Sequence, residues 1–404
     1  MGTSDASGRL PERGSEARGK GRSLQEKKIL WALLLGNFVT GTAILLPAGM
    51  LTELASGLNV SVPTAGSLLL VSGVVVAVGA PLIAAFTSSV DRRVLLTASL
   101  TLLIVTHIAS ALATSFDMLM ATRVVMAIAA AIFTPQAAST VGALLPPERR
   151  SSAITMIFVG WSMATVAGVP LGGYVASTLG WPAAFAIVAA LALIATAVVW
   201  MTVPAGVKIT PLNGASWARV LTSKALMTVL LVTVLNGTGQ FTLFTYLKPS
   251  LKESLEAGAA LVTFVLAWYG ASATLGNVIA ARVVDRIGAA RAALFALLMM
   301  ASGLVLWAAG AHILAVVLAA ATVWGLGTFA TNSIQQARLA GIAPELTSAS
   351  ISLNTSAIYA GQAAGSGLGG LLIKAQMMPD LPWVGAAILI AAAGVSYIAM
   401  RWER

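Results

Sequence analysis

The sequence predicts an all-α membrane protein in which twelve transmembrane helices form two pseudo-symmetric bundles of six. Three observations carry this. The 404 residues are 58% hydrophobic and only 9% charged, whereas soluble domains hold about 25% charged residues. Apolar runs of about 20 residues recur along the chain, each long enough to cross a hydrocarbon core of about 30 Å. Two motifs also recur at nearly the same offset in the first and second halves. Unbroken apolar runs satisfy their backbone hydrogen bonds in lipid as helices, whereas a barrel would alternate apolar and polar residues.

The predicted spans cover 29–51, 64–86, 94–113, 118–143, 152–176, 182–202, 225–247, 257–281, 290–309, 313–337, 348–372 and 383–400. Residues 1–28 are polar and basic and read as a disordered cytoplasmic tail. Spans one to six make an N-terminal bundle, 29–202, and spans seven to twelve a C-terminal bundle, 225–400. A linker at 203–224, carrying Pro204, Pro211, Asn213 and Gly214, divides them, and 401–404 form a short cytoplasmic end.

Loop charge sets the orientation, because Lys and Arg stay on the cytoplasmic side. With the start inside, 20 of the 24 basic residues fall on inner segments. Lys248, Lys252 and Lys374 fall outside, and Arg123 lies within span four. A wrong span count would scramble this asymmetry, so both termini are expected inside.

The repeat is readable in two places. Asp91 and Arg92 follow span two as Asp285 and Arg286 follow span eight. Gly168, Gly172 and Gly173 of span five correspond to Gly365, Gly369 and Gly370 of span eleven. Equivalent positions in two six-span halves give a parallel repeat about an axis along the membrane normal.

Composition also excludes classes. The net charge of +10 comes from basic residues scattered over short loops, which does not read as a nucleic-acid surface. Cysteine is absent, and neither His107 nor His312 has a second ligand at useful spacing, so no metal or cofactor is expected. Gly365, Gly367 and Gly370 satisfy G-x-G-x-x-G but lie inside a span, without the strand and acidic residue a nucleotide site needs. No nucleophile set or phosphate loop appears, so the chain is not read as an enzyme.

Four stretches together resemble the major facilitator superfamily, and within it the twelve-span drug:proton antiporters of the bacterial chloramphenicol, sugar and purine exporter type. Gly79 to Leu82 with Asp91, Arg92 and Arg93 is similar to the loop motif between spans two and three, although Arg93 stands where a glycine is usual. Arg123 and the small residues after it resemble the span-four arginine motif. Gly160, Gly168, Pro170, Gly172 and Gly173 are similar to the antiporter motif of span five. Gln240, Phe241, Phe244 to Leu247 and Pro249 resemble the exporter signature of span seven. The resemblance implies that spans one, four, seven and ten line a central cavity and that Asp91 latches the inner loops. It also implies a bacterial plasma membrane, a small-molecule substrate, protons as coupling ion and a functional monomer.

Each candidate residue has two readings. Asp91 with Arg92, echoed by Asp285 and Arg286, is either a charge latch or a solvated turn obeying the loop-charge rule. Arg123 lies roughly 9 Å inside span four at 1.5 Å per residue. It either senses substrate and tunes a proton carrier, or snorkels outward to pair with Asp117. The glycines and Pro170 of span five give either a kinked helix that sets direction, or close packing alone. Asn37, Thr40, Gln136, Asn236, Gln240, Phe241, Tyr246, Asn332 and Gln336 are candidate cavity residues, and for each polar one the alternative is an interhelical hydrogen bond.

All 14 carboxylates fall at span ends or beyond them. A proton carrier is usually a buried carboxylate whose pKa desolvation raises. Coupling through Asp91, Asp117 or Glu53, or an uncoupled facilitator or importer, therefore stands beside proton-coupled export. A non-transporting membrane receptor on the same fold is a further alternative.

Overall fold

The computed structural model describes residues 12–87, 89–208 and 214–402, with side chains except at 12–23, 84–85, 147–148, 151, 214–216, 281, 285 and 348. Among the described residues the chain is helical with no strand. Spans one to four are Glu12–Gly49, Val62–Phe86, Arg92–Ala111 and Phe116–Leu144. Span five is composite: Pro147–Met163, a π-helical turn at Ala164–Gly168, then Val169–Leu179. Spans six to twelve are Trp181–Thr202, Lys224–Phe244, Ala259–Ile287, Ala289–Gly310, Leu314–Ile342, Thr347–Lys374 and Leu381–Ala399.

Eleven of these are long and apolar enough to cross a membrane. The other is span eleven. It has 28 residues, but buries Ser350, Asn354, Gln362 and Ser366. Its place explains its polarity. It packs between span seven of its own half and span two of the other, so its polar groups meet protein.

Sequence signals set the helix ends. Ser61, Asp91, Ser115 and Ser223 cap spans two, three, four and seven by accepting a backbone N–H from three residues on. Gly288, at φ 81°, makes the turn between spans eight and nine, where a side chain would be strained.

Three boundaries differ from expectation. The backbone is helical from Glu12, continuous with span one, where the composition of 1–28 predicts disorder. Once span one nucleates the helix, Glu, Lys, Arg and Gln extend it at little cost. The linker holds a short helix, Gly214–Thr222, which buries Val220. Span seven ends at Phe244, so Tyr246 falls in the turn before a second helix, Leu247–Leu255. Pro249 has no N–H to continue the ladder and fits only a first turn. Span one likewise ends just after Pro47, before the short helix Leu51–Gly57.

The two halves repeat the same packing. In the first, methyl groups at Gly160, Gly168 and Gly173 of span five would overlap Leu34, Thr42 and Gly49 of span one. In the second, methyl groups at Gly361, Gly365 and Gly369 of span eleven would overlap Val234, Thr238 and Thr242 of span seven. Glycine lets these helix pairs approach closely where lipid supplies no hydrophobic drive.

Candidate functional site

The halves meet at the end remote from the Asp91 loop. There span two lies against span eleven: Gly66 faces Tyr246, Leu70 faces Gly367, and Gly73 faces the backbone of Tyr359 and Ala363. The π-helical turn of span five lies against span eight, where a methyl group at Gly270 would meet Thr165 and Val166 at 2.8 Å. The short helices after spans one and seven carry an ion pair, with Lys248 Nζ 2.7 Å from Glu53 Oε1. Lys248 is only 3% exposed. Burial holds its ammonium below the usual lysine range; the hydrogen bond and charge of Glu53 oppose this, and Lys252 adds to it.

At the Asp91 end the halves part. Among the described residues, a methyl group at Gly79 of span two would meet only Ala131 and Ile83 of its own half. At Gly142 of span four and Gly341 of span ten it would meet nothing within 4 Å among the described residues. Leu82 and Phe86 of span two are exposed. The arrangement is a cleft between two bundles, closed at one end and open at the end that carries the basic loops.

The candidate residues divide once they are placed. Asn37 and Thr40 are fully buried within the first half. Asn37 donates to the Ile157 carbonyl at 3.0 Å and accepts from Thr134 at 2.9 Å. Thr40 donates to Gly36 O. Gln136 accepts from the Arg92 guanidinium. Asn37 and Gln136 thus join spans one, four and five and spans three and four, while Thr40 bonds within span one. Helical spacing shows which residues share a face, but not how the helix is rotated against its neighbours.

In the second half, Asn236 is buried and its Oδ1 has no partner. Gln240, Asn332 and Gln336 are half-buried. Phe241 joins an aromatic stack with Phe244, Tyr269 and Trp324, at ring separations of 5.4, 5.5 and 4.5 Å along the series. Tyr246 donates to Ser366 O at 2.9 Å and so ties the turn after span seven to span eleven.

The charged candidates also resolve. Asp91 accepts from Val94 N at 3.2 Å and from Gly206 N, while Arg92 N donates to Val207 O at 2.9 Å. Asp91 therefore caps span three and holds the start of the linker. Arg92 is fully buried and also donates to Thr87 O at 2.8 Å, so this loop is not simply a solvated turn. Asp117 is exposed in the first turn of span four, where a carboxylate suits the helix dipole. Arg286 is exposed in the last turn of span eight, and the Asp285 side chain lies outside the described residues.

Arg123 neither snorkels nor pairs with Asp117. It is fully buried, donating to Ala43 O at 2.8 Å and Ile44 O at 3.0 Å. Pro47, four residues beyond Ala43, has no N–H, so the Ala43 carbonyl lacks its intrahelical donor. Arg123 supplies one and braces the bend of span one. Pro170 similarly lies just past the π-helical turn of span five, at the seam with span eight.

Sequence reading assigned no role to Trp161, Tyr359 or Arg338. Trp161 and Tyr359 meet across the halves at 6.4 Å. Arg338, expected in an inner loop, is buried in span ten and donates to Ser396 Oγ at 2.8 Å. No motif marks the aromatic pair, because it exists only when two distant spans meet.

One expected outcome follows for Asp91. Asp91→Asn keeps a side chain that can cap span three, so insertion and abundance stay near wild type, while transport falls several-fold through the lost charge. Asp285→Asn is milder. Uptake into vesicles, normalised to protein abundance, checks both; full transport by Asp91→Asn removes any latch role.

Comparison with known proteins agrees with this architecture. The Major Facilitator Superfamily profile matches residues 33–248 and 229–404. The inner membrane transport protein YdhP of Escherichia coli O157:H7 is 30% identical over 360 residues, 89% of this chain and 92% of that protein. A chloramphenicol resistance protein of Streptomyces lividans is 34% identical over 261 residues, 64% of this chain and 67% of that protein. A bacterial homologue of the human lysosomal transporter Spinster, solved inward-facing and unoccupied, superposes with a TM-score of 0.72 at 16% identity, covering 94% of this chain and 97% of that one. The same homologue, inward-facing and occupied, gives 0.70 at 16% identity, covering 92% and 96%. With two six-helix bundles around a cleft open at one end, and a profile match over nearly its whole length, this chain belongs to the Major Facilitator Superfamily.

Proposed function

We propose that the protein is a secondary active exporter, moving a small neutral or weakly anionic amphiphile out of a bacterial cell in exchange for protons, by rocking of the two bundles. The observation that carries this is the cleft, closed by the Glu53–Lys248 pair at one end and open at the other. With the basic loops inside, the open end faces the cytoplasm, the side from which an exporter loads. The likeness to a chloramphenicol resistance protein supports efflux. The protein acts as a monomer in the inner membrane with both termini cytoplasmic. Protons exchange at groups near span ends, since no carboxylate lies in mid-span.

Orientation is checked with a cysteine introduced into a chain that has none. Val207→Cys stays unlabelled by an impermeant maleimide in intact cells and labels after lysis; labelling in intact cells overturns the orientation.

Substrate charge follows from the same inventory. A cation in low dielectric needs a counter-charge; the half-buried candidate cavity groups Gln240, Asn332 and Gln336 are amides, and no carboxylate lies in mid-span. Inside-out vesicles bearing the protein should accumulate neutral phenicols or nucleosides at least tenfold better than ethidium-like cations. Collapse of the proton gradient should abolish the accumulation. Accumulation of the cations alone refutes the charge argument, and gradient-independent movement refutes proton coupling.

A further inference from the structure

We propose that Trp161 and Tyr359 form an aromatic slot, one wall from each bundle, that takes the flat aryl ring of an uncharged substrate. The slot deepens the exporter reading by naming the class of molecule carried, and it rests on that reading for the direction of transport only.

Position is the first argument. Trp161 lies near the middle of span five, and Tyr359 near the middle of span eleven, level with Gly73 of span two. On the Glu53 side of this level the halves touch at Gly66, Leu70 and Gly73. On the other side, a methyl group at Gly79 would meet, among the described residues, no atom of the second half within 4 Å. The pair is therefore the ceiling of the open cleft, the first place where a molecule entering it meets both halves.

Chemistry is the second. The Trp161 indole N–H donates to Thr134 Oγ1 at 3.3 Å, Thr134 donates to Asn37 Oδ1 at 2.9 Å, and Asn37 donates to Ile157 O at 3.0 Å. This chain fixes the ring plane and leaves the π surface, rather than the N–H, to make contacts. Gly41 lets the ring lie directly on span one, since a methyl group there would sit 3.1 Å from Trp161 Cδ2 and Cε3. Tyr359 approaches edge-on, with centroids 6.4 Å apart and planes at 64°. That separation is near the long end of aromatic contacts. The contact is loose enough for an inserted ring to replace it by stacking on Trp161.

Charge is the third. Two aromatic walls select an aryl ring, and with no carboxylate in mid-span to balance a cation in low dielectric the ring belongs to an uncharged compound. Filling the slot also separates Trp161 from Tyr359, which loosens the seam that must open for the load to leave.

The test is binding to purified, detergent-solubilised full-length protein by equilibrium dialysis. Chloramphenicol serves as the neutral aryl probe, ethidium as the cationic one and a simple disaccharide as the neutral non-aromatic one. The wild type should bind chloramphenicol in preference to both others. Trp161→Ala and Tyr359→Ala should raise its Kd at least tenfold. Trp161→Phe and Tyr359→Phe, which keep a ring, should stay within about threefold. Tyr359→Leu, which keeps apolar bulk without a ring, should behave like the alanine variant and covers the case in which the alanine variants do not fold. Unchanged affinity in folded Tyr359→Leu protein, or a wild type that prefers ethidium or the disaccharide, overturns the slot. Binding as expected with no movement into inside-out vesicles leaves the slot standing and overturns the exporter reading instead.

Discussion

Glu53→Gln is expected to open the closed end of the cleft. Lys248 is nearly inaccessible, and its ammonium is held by both Glu53 oxygens at 2.7 Å. Removing one member of a buried pair leaves an uncompensated charge, at a cost of about 3–5 kcal/mol. Water reaches the ammonium only if the short helices after spans one and seven part. A reporter is available at Leu70, which packs on Gly367 across the seam. With Leu70→Cys as the single cysteine, labelling by an impermeant maleimide from outside should rise by about two orders of magnitude in the Glu53→Gln background, and export should fall. The double variant Glu53→Leu with Lys248→Met should close again, because two apolar side chains need no hydration. The pH dependence has a definite sign. Burial already lowers the Lys248 pKa, and Glu53 raises it, so losing Glu53 lowers it further. Protonated Lys248 drives the opening below that pKa, and the effect fades as alkaline pH removes its proton. Unchanged labelling in Glu53→Gln at neutral pH means that the pair does not hold the seam.

Arg123→Ala is expected to cost about 2–4 kcal/mol, since hydrogen bonds from a charged donor are worth about 1.5–3 kcal/mol each and a stranded acceptor costs 1–3. Two carbonyls are involved, and Ala43 O has no donor of its own because of Pro47. Melting in detergent should fall by several degrees and export by more than tenfold. Arg123→Lys, with one compact donor group, should recover part of each. The decisive variant adds Pro47→Ala to Arg123→Ala. The restored N–H satisfies Ala43 O within span one and returns the melting temperature toward wild type. Export that stays low in this stable double variant assigns the arginine, or the bend it braces, to the transport cycle. Export that recovers with stability makes Arg123 a strut only.

Arg123 also shows how far sequence could reach. Its depth in span four and the cost of a bare charge there were readable, and both called for pairing or hydration. That the partner is the backbone of span one was not readable, since the vacancy at Ala43 lies about 80 residues away and appears only when the two helices touch. The polar residues of spans one and four behave alike: their faces were legible, but Asn37 and Gln136 turn into the bundle, toward Ile157 and Arg92.

By itself the sequence determined the span count, the division into halves, the small-residue faces of spans five and eleven, and the absence of a mid-span acid. These follow from hydrophobic length, loop charge and glycine spacing, which are local and read along the chain. Tertiary structure alone decided which end of the cleft is shut. It joined Glu53 to Lys248 over 195 residues of separation and set Trp161 against Tyr359. The reason is physical: in a bundle of apolar helices many rotations and pairings satisfy the same hydropathy pattern. The choice among them rests on close contacts, such as Gly73 on span eleven and Gly270 on the π-helical turn of span five, whose energy comes from surfaces that do not exist until the halves are assembled.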